Sequence, residues 1–240
     1  MAWTGCASAP VRRPISPEAQ AALDRLEQRQ AGLVDLRTSA DIRIRRDDKT
    51  QRLSGVLLLR SPASLRFEAL TPFGVPAVLV AGDNQSVTLW EVFDNRAFIL
   101  PASPDANRRW LGLALGAEDL VALLSGRVRP IRHPSSVELL PPDIQGPSLK
   151  IEGADGEQRI WLDPVSGQAR QVEWTRSKNP ARVTFDETAP DAPPAGMTLA
   201  TLDGKLEVVV RYRNPRMNTG FDPGLMSLTV PEHVRIQDFR

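Results

Sequence analysis

From Leu36 onward the chain alternates. Leu36, Thr38, Ala40, Ile42 and Ile44 are separated by Arg37, Ser39, Asp41, Arg43 and Arg45. A period of two marks a β-strand with one face in a core and the other in water. Further strand-like runs follow at 52–60, 64–71, 75–82, 86–93 and 96–100, divided by Ser-Pro, Pro-Phe-Gly, Gly-Asp-Asn and Asp-Asn. Gaps this short favour antiparallel hairpins, because parallel pairs need a dozen or more connecting residues. Runs resume at 147–153, 157–163, 168–176, 181–186, 197–202 and 205–213, and a last one from Leu225 to Val230 is stopped by Pro231. The absence of a sustained βαβ alternation disfavours a doubly wound nucleotide-binding fold.

Two helical segments interrupt the strands. Ser16-Pro17-Glu18 supplies an N-cap and a proline at the first helical position. Ala19, Ala22, Leu23 and Leu26 then recur at helical spacing, which predicts one amphipathic helix over 17–31 that ends near Gly32. The segment 104–125, with Trp110, Leu111, Leu113, Leu115, Leu120, Val121, Leu123 and Leu124, is more apolar than a surface helix needs to be. A single antiparallel sheet of about eleven strands tends to curl. A curled, partly closed sheet with helices over its mouth encloses an apolar space.

Composition removes several function classes. An apolar share of 41% supports a core, and 30 Lys+Arg against 29 Asp+Glu leave no electrostatic footprint for nucleic acid. No apolar run approaches the roughly 18–20 residues of a membrane span, so a soluble body touching a membrane through a lipid or local side chains is expected. One cysteine excludes an intrachain disulfide, and His133 and His233 lack ligand-like spacing, so neither metal nor cofactor is expected. Gly-x-Ser-x-Gly, Walker and Gly-x-Gly-x-x-Gly patterns are missing. Adjacent carboxylates such as Asp47-Asp48 and Glu118-Asp119 point apart on a regular element. No motif recommends an enzyme.

The string Trp3-Thr4-Gly5-Cys6, followed by Ala7-Ser8-Ala9-Pro10, resembles the end of a bacterial lipoprotein signal, in which the sulfur carries a diacylglycerol. Such a signal needs a basic start and an apolar stretch of roughly 7–15 residues. Only Met1 to Gly5 precede the cysteine, so this reading places the true start upstream. The alternative, a small buried hydrophobe, fits poorly in a polar tail. Residues 1–16 are read as a signal remnant, lipidation site and flexible tether, and 17–240 as one domain.

The candidate liners of the enclosed space are Leu57, Leu59, Leu65, Phe67, Leu79, Leu89, Trp161 and Trp174 from strands, with Trp110, Leu120 and Leu124 from the helical segment. Periodicity cannot separate a lined cavity from a core that these side chains fill themselves. Thr71-Pro72-Phe73-Gly74-Val75-Pro76 places a large aromatic where a hairpin should be polar. Phe73 either meets a partner or membrane or folds back onto the sheet.

Residues 64–74 (SLRFEALTPFG), the strands from Val75 to Phe98, 116–126 (GAEDLVALLSG) and 228–238 (LTVPEHVRIQD) together resemble the LolA/LolB lipoprotein carrier and receptor superfamily, closest in pattern to the outer-membrane receptor LolB. The resemblance implies a mainly β (α+β) fold: a half-open antiparallel β-barrel with an N-terminal helix and a helical lid. It implies a non-catalytic lipoprotein on the periplasmic face of the bacterial outer membrane. Its partners would be lipid acyl chains or lipidated proteins and a LolA-like periplasmic carrier, and it would act as a monomer. Phe73, between Pro72 and Gly74, matches the protruding loop leucine that assists membrane insertion in LolB. Thr71 stands where that loop has asparagine, and Phe73 replaces the leucine. A structural or assembly lipoprotein without lipid transfer is the alternative.

Overall fold

The computed structural model describes residues 14–112, 114–154, 156–176, 180–189 and 192–240, with Trp110 and Leu111 described by backbone alone. The first helix, α1 (Pro17–Ala31), has the expected bounds: Ser16 Oγ accepts from the Ala19 amide at 3.2 Å, Pro17 opens the first turn and Gly32 caps the end. Its apolar stripe, Ala19, Ala22, Leu23 and Leu26, is buried.

Six strands follow, joined by short turns: β1 (Asp35–Arg46), β2 (Lys49–Arg60), β3 (Ser64–Leu70), β4 (Pro76–Gly82), β5 (Ser86–Glu91) and β6 (Arg96–Pro101). The helical segment is two helices, α2 (Pro104–Leu111) and α3 (Ala117–Leu124), rather than one. Gly112 ends α2 at φ +80, a left-handed conformation open to glycine, and Asp119 turns back to accept from the Gly116 amide at 3.3 Å and start α3. Eight more strands complete the chain: β7 (Ser136–Asp143), β8 (Gly146–Gly153), β9 (Gly156–Leu162), β10 (Ala169–Trp174), β11 (Ala181–Phe185), β12 (Gly196–Thr201), β13 (Leu206–Met217) and β14 (Arg235–Asp238).

All belong to one 14-stranded sheet in the order β14-β6-β5-β4-β3-β2-β1-β13-β12-β11-β10-β9-β8-β7. Every neighbouring pair is antiparallel except β14 with β6. The edge strands β14 and β7 do not pair with each other, so the sheet is a half-open barrel. The inner face holds the core: Leu36, Leu59, Leu149, Ile160, Val172 and Val183 have no exposed surface. Helix α1 packs on β7 and β8, and α3 on β2 and β3.

Two differences from the sequence expectations have causes in the tertiary arrangement. The sheet has fourteen strands, not about eleven, partly because β7 is an edge strand: its Pro141-Pro142 pair disguises it, yet proline is tolerated where no partner needs the amide. The run Leu225–Val230 is not a strand. Pro223–Met226 forms a 3-10 turn, and the chain beyond it crosses the outer face of the sheet, where Arg66 Nη1 donates to the carbonyls of Leu225 and Ser227. Met226, Leu228 and Val230 are half-buried while Leu225, Ser227 and Thr229 are exposed, so the period of two reflects packing on a sheet face rather than pairing within it. The closing strand is β14, past Pro231.

Candidate functional site

Register sets which side chains share the concave face. One cross-strand row runs Phe98, Leu89, Val80, Phe67, Leu57 and a second runs Leu100, Val87, Gly82, Leu65, Leu59. Leu57, Leu59 and Phe67 are buried and belong to the core. Leu65, Val80, Val87, Leu89, Phe98 and Leu100 are only half-buried. The helix α3 covers β2 and β3 and leaves this apolar strip on β3 to β6 partly open, with Leu120 and Leu124 of α3 half-buried against the core beside it.

The lid helix is fastened from below. Tyr212, on the inner face of β13, donates its hydroxyl to the carbonyl of Leu124 at 2.6 Å. Burial, and secondarily Asp186, push that hydroxyl well above the usual phenol range, so it stays a donor. Tyr212→Phe is expected to cost about 1 kcal/mol, read from the urea midpoint, with faster amide exchange at the C-terminal turn of α3.

Trp174 lies elsewhere on the inner face, in the wall of a cavity of about 1030 Å³ shared with Leu115 and Ile131. The charges around this cavity are paired. Arg129 bridges Glu118 and Asp119, Arg132 reaches Glu118 at 2.7 Å, and Arg176 reaches Glu157 at 3.3 Å. Lys150 hydrogen-bonds Glu152 at 2.9 Å, which holds the ammonium above its ordinary range and the carboxylate below. The buried Gln158 side chain accepts from the Ile131 amide and donates to the Arg129 carbonyl. No group of three His, Cys, Asp or Glu among the described residues is placed to hold a metal ion.

Two expected liners face the other way. Leu79 pairs with Glu68 and Trp90, which puts it on the outer face beneath the C-terminal segment, where it is 7% exposed. Trp161 pairs with Ser148 and Gln171, also outside. Both strands are apolar on both faces around these positions, so alternation alone could not orient them. The Trp161 indole donates to the two Asp143 oxygens at 3.2 and 3.0 Å, and Arg159 lies over its ring at 4.2 Å. That hydrogen bond, the Gln145 amide and Arg159 hold the Asp143 carboxyl below its ordinary 3.8. A depressed folded value means the interaction stabilises above the unfolded value and is lost as pH falls through the folded one. The Trp161 indole proton resonance is therefore expected to titrate with a midpoint below 3.8, and not at all in Asp143→Asn.

The Phe73 loop is a three-residue hairpin turn. The Thr71 amide donates to Val75 O at 2.8 Å, Gly74 to Thr71 O at 2.9 Å, and Gly74 adopts φ +78. Pro72 and a left-handed Gly74 are what a type I turn followed by a bulge requires. Phe73 is 93% exposed and does not fold back. The sequence reading missed Phe93, which is 68% exposed in the β5–β6 turn. Both turns lie at the same end of the sheet, since the Val92 amide donates to Ala77 O beside the β3–β4 turn. Two strand spacings of about 4.8 Å put the two tips roughly 10 Å apart. An aromatic at a turn flanked by Asp94-Asn95 is the signal that would have found it. Cys6 lies outside the described residues, as does the Trp110 side chain.

No protein-family model matches the chain, and no curated protein matches its sequence. Solved structures do resemble it. A domain from Vibrio parahaemolyticus described as an outer membrane lipoprotein-sorting protein superposes with a TM-score of 0.59 at 14% identity, over 87% of this chain and 97% of that one. A LolA superfamily protein from Nitrosomonas europaea gives 0.56 at 12%, over 88% and 97%. A DUF1329 family protein from Desulfovibrio piger gives 0.56 at 12%, over 92% and 98%. At these identities the likeness is one of fold: the half-open sheet with its helices is a LolA-like architecture.

Proposed function

We propose that this chain is a non-catalytic, monomeric envelope lipoprotein whose single domain, 17–240, takes up acyl chains of lipids or lipidated proteins and releases them at a membrane. In this reading Cys6 carries the lipid anchor, the body faces the periplasm from the outer membrane, and a LolA-like carrier delivers the cargo. The observation that carries the proposal is the half-buried apolar strip Leu65, Val80, Leu89 and Phe98 on the concave face of β3 to β6. One further inner-face row, Ala69, Val78, Glu91 and Arg96, the last two ion-paired at 2.8 Å, separates it from the turns that expose Phe73 and Phe93. An acyl chain laid on this strip would leave water at about 0.8 kcal/mol per methylene, a gain that a bilayer matches, so transfer between the two needs no chemical step.

The test is binding. Lipids extracted from the purified chain are identified by mass spectrometry, and a fluorescent fatty acid is titrated into it. Leu89→Glu puts a carboxylate on the strip, where the desolvation cost is expected to weaken binding by about tenfold or more. No co-purifying lipid, together with no saturable fatty-acid binding, would sink the carrier reading and leave a structural or assembly lipoprotein built on the same scaffold.

A further inference from the structure

A second cavity, of about 540 Å³, lies among the C-terminal turn of α1, the segment after α3, the β9–β10 turn and the loop before β12, and shares no wall residue with the larger one. Three of its wall residues are arginines, Arg25, Arg29 and Arg127. Its one carboxylate among the described residues, Asp186, takes Nη1 of Arg211 at 3.1 Å. Arg127 is half-buried and, among the described residues, bonded only to neutral acceptors. Its Nε donates to the Arg29 carbonyl at 2.7 Å, and its Nη1 to the Ser125 carbonyl at 3.1 Å and Met217 Sδ at 3.4 Å. Its Nη2 has no acceptor among the described residues, although a guanidinium carries five N–H donors. Burial, then the neighbouring charge of Arg29, both push its pKa down.

A partly buried guanidinium that faces a cavity with a donor unused is stabilised by an anion that accepts from it. The planar fork of arginine fits phosphate oxygens two at a time. Phe185, Ala169 and Met217 make part of the wall apolar, so a phosphate ester fits as well as the bare ion. We propose that this cavity binds a phosphate group, gripped by Arg127 from within and by the exposed Arg25 at its edge. The proposal stands apart from acyl-chain binding and does not depend on it.

Titration calorimetry of the full chain at constant ionic strength tests it with two probes, inorganic phosphate and a short-chain phosphatidylglycerol below its micellar concentration. Saturable one-to-one binding of at least one probe is expected. Arg127→Gln should weaken it about tenfold or more and Arg25→Gln about threefold, as loss of a charge-assisted bond implies. Arg176→Gln, at the other cavity, should leave it unchanged. Binding of both probes supports a site for phosphate itself; binding of the lipid alone supports a headgroup site. Absence of saturable binding by either probe, or binding that survives both arginine substitutions, overturns the proposal. Should Arg127→Gln not fold, the exposed Arg25→Gln decides alone, with an unchanged urea midpoint as the check that the body is intact.

Discussion

Replacing both turn aromatics, Phe73→Glu with Phe93→Glu, is expected to abolish measurable binding of the Cys6→Ser chain to phospholipid vesicles. Removal of the cysteine keeps a lipid anchor from masking the effect. Fully burying a phenylalanine contributes roughly 1.5–3 kcal/mol. The pair would therefore contribute roughly 3–6 kcal/mol, about 10² to 10⁴ in partitioning. Each single substitution should cost about tenfold or more on the same scale. Because Phe73 and Phe93 are 93% and 68% exposed, neither change should move the urea midpoint appreciably. Vesicle co-sedimentation reads the result. Retained binding in the double variant would mean that these tips do not meet the bilayer, and the release step proposed above would need another surface.

Gly55→Ala is expected to be among the most damaging single-methyl additions in the sheet. A Cβ at position 55 would sit 1.9 Å from the carbonyl oxygen of Glu68 and 2.7 Å from its carbon, both backbone atoms of β3. Flexible side chains can swing aside, but here a whole strand of the central sheet must move. Overpacking of a core typically costs about 1–3 kcal/mol and occasionally more, and the upper end is expected because the contact is backbone. Gly204→Ala provides the contrast. Its Cβ meets nothing within 4 Å, but φ is +73, so only the conformational penalty of about 1–2 kcal/mol applies. Urea unfolding of the two variants separates the effects; a Gly55→Ala midpoint no lower than that of Gly204→Ala would show that β2 and β3 have room to part. The same close approach brings Leu57 and Phe67 together and so anchors the row that continues to Val80, Leu89 and Phe98.

Local signals proved legible where they act through the backbone alone. Ser16, Pro17 and Gly32 bound α1 because a cap, a fixed φ and a helix stop are properties of a few neighbouring residues. Hairpins at 71–75 and 83–85 followed from Pro, Gly, Asp and Asn for the same reason. Signals that needed a second element were not legible. The strand β7 was hidden because its prolines are acceptable only at an edge, and which strand is an edge is a property of the sheet. The run Met226, Leu228, Val230 has the alternation of a strand, yet the chain there lies across a sheet instead of within it.

The candidate site divides along the same line. By itself the sequence determined that the chain builds antiparallel sheet flanked by helices, that its apolar residues suffice for an interior, and that Phe73 sits on a stiff turn. Tertiary structure decided that Leu57, Leu59 and Phe67 are core, that Leu65 and Leu89 stay partly open beside α3, and that Leu79 and Trp161 belong to the outer face. It also placed Phe93 beside Phe73 and Arg127 beside Arg29. The physical reason is that a period of two states only that a strand has two faces. Which face turns inward, and what covers the other, depends on cross-strand register and on packing against segments as remote as 219–234, and neither is written in any local stretch of the chain.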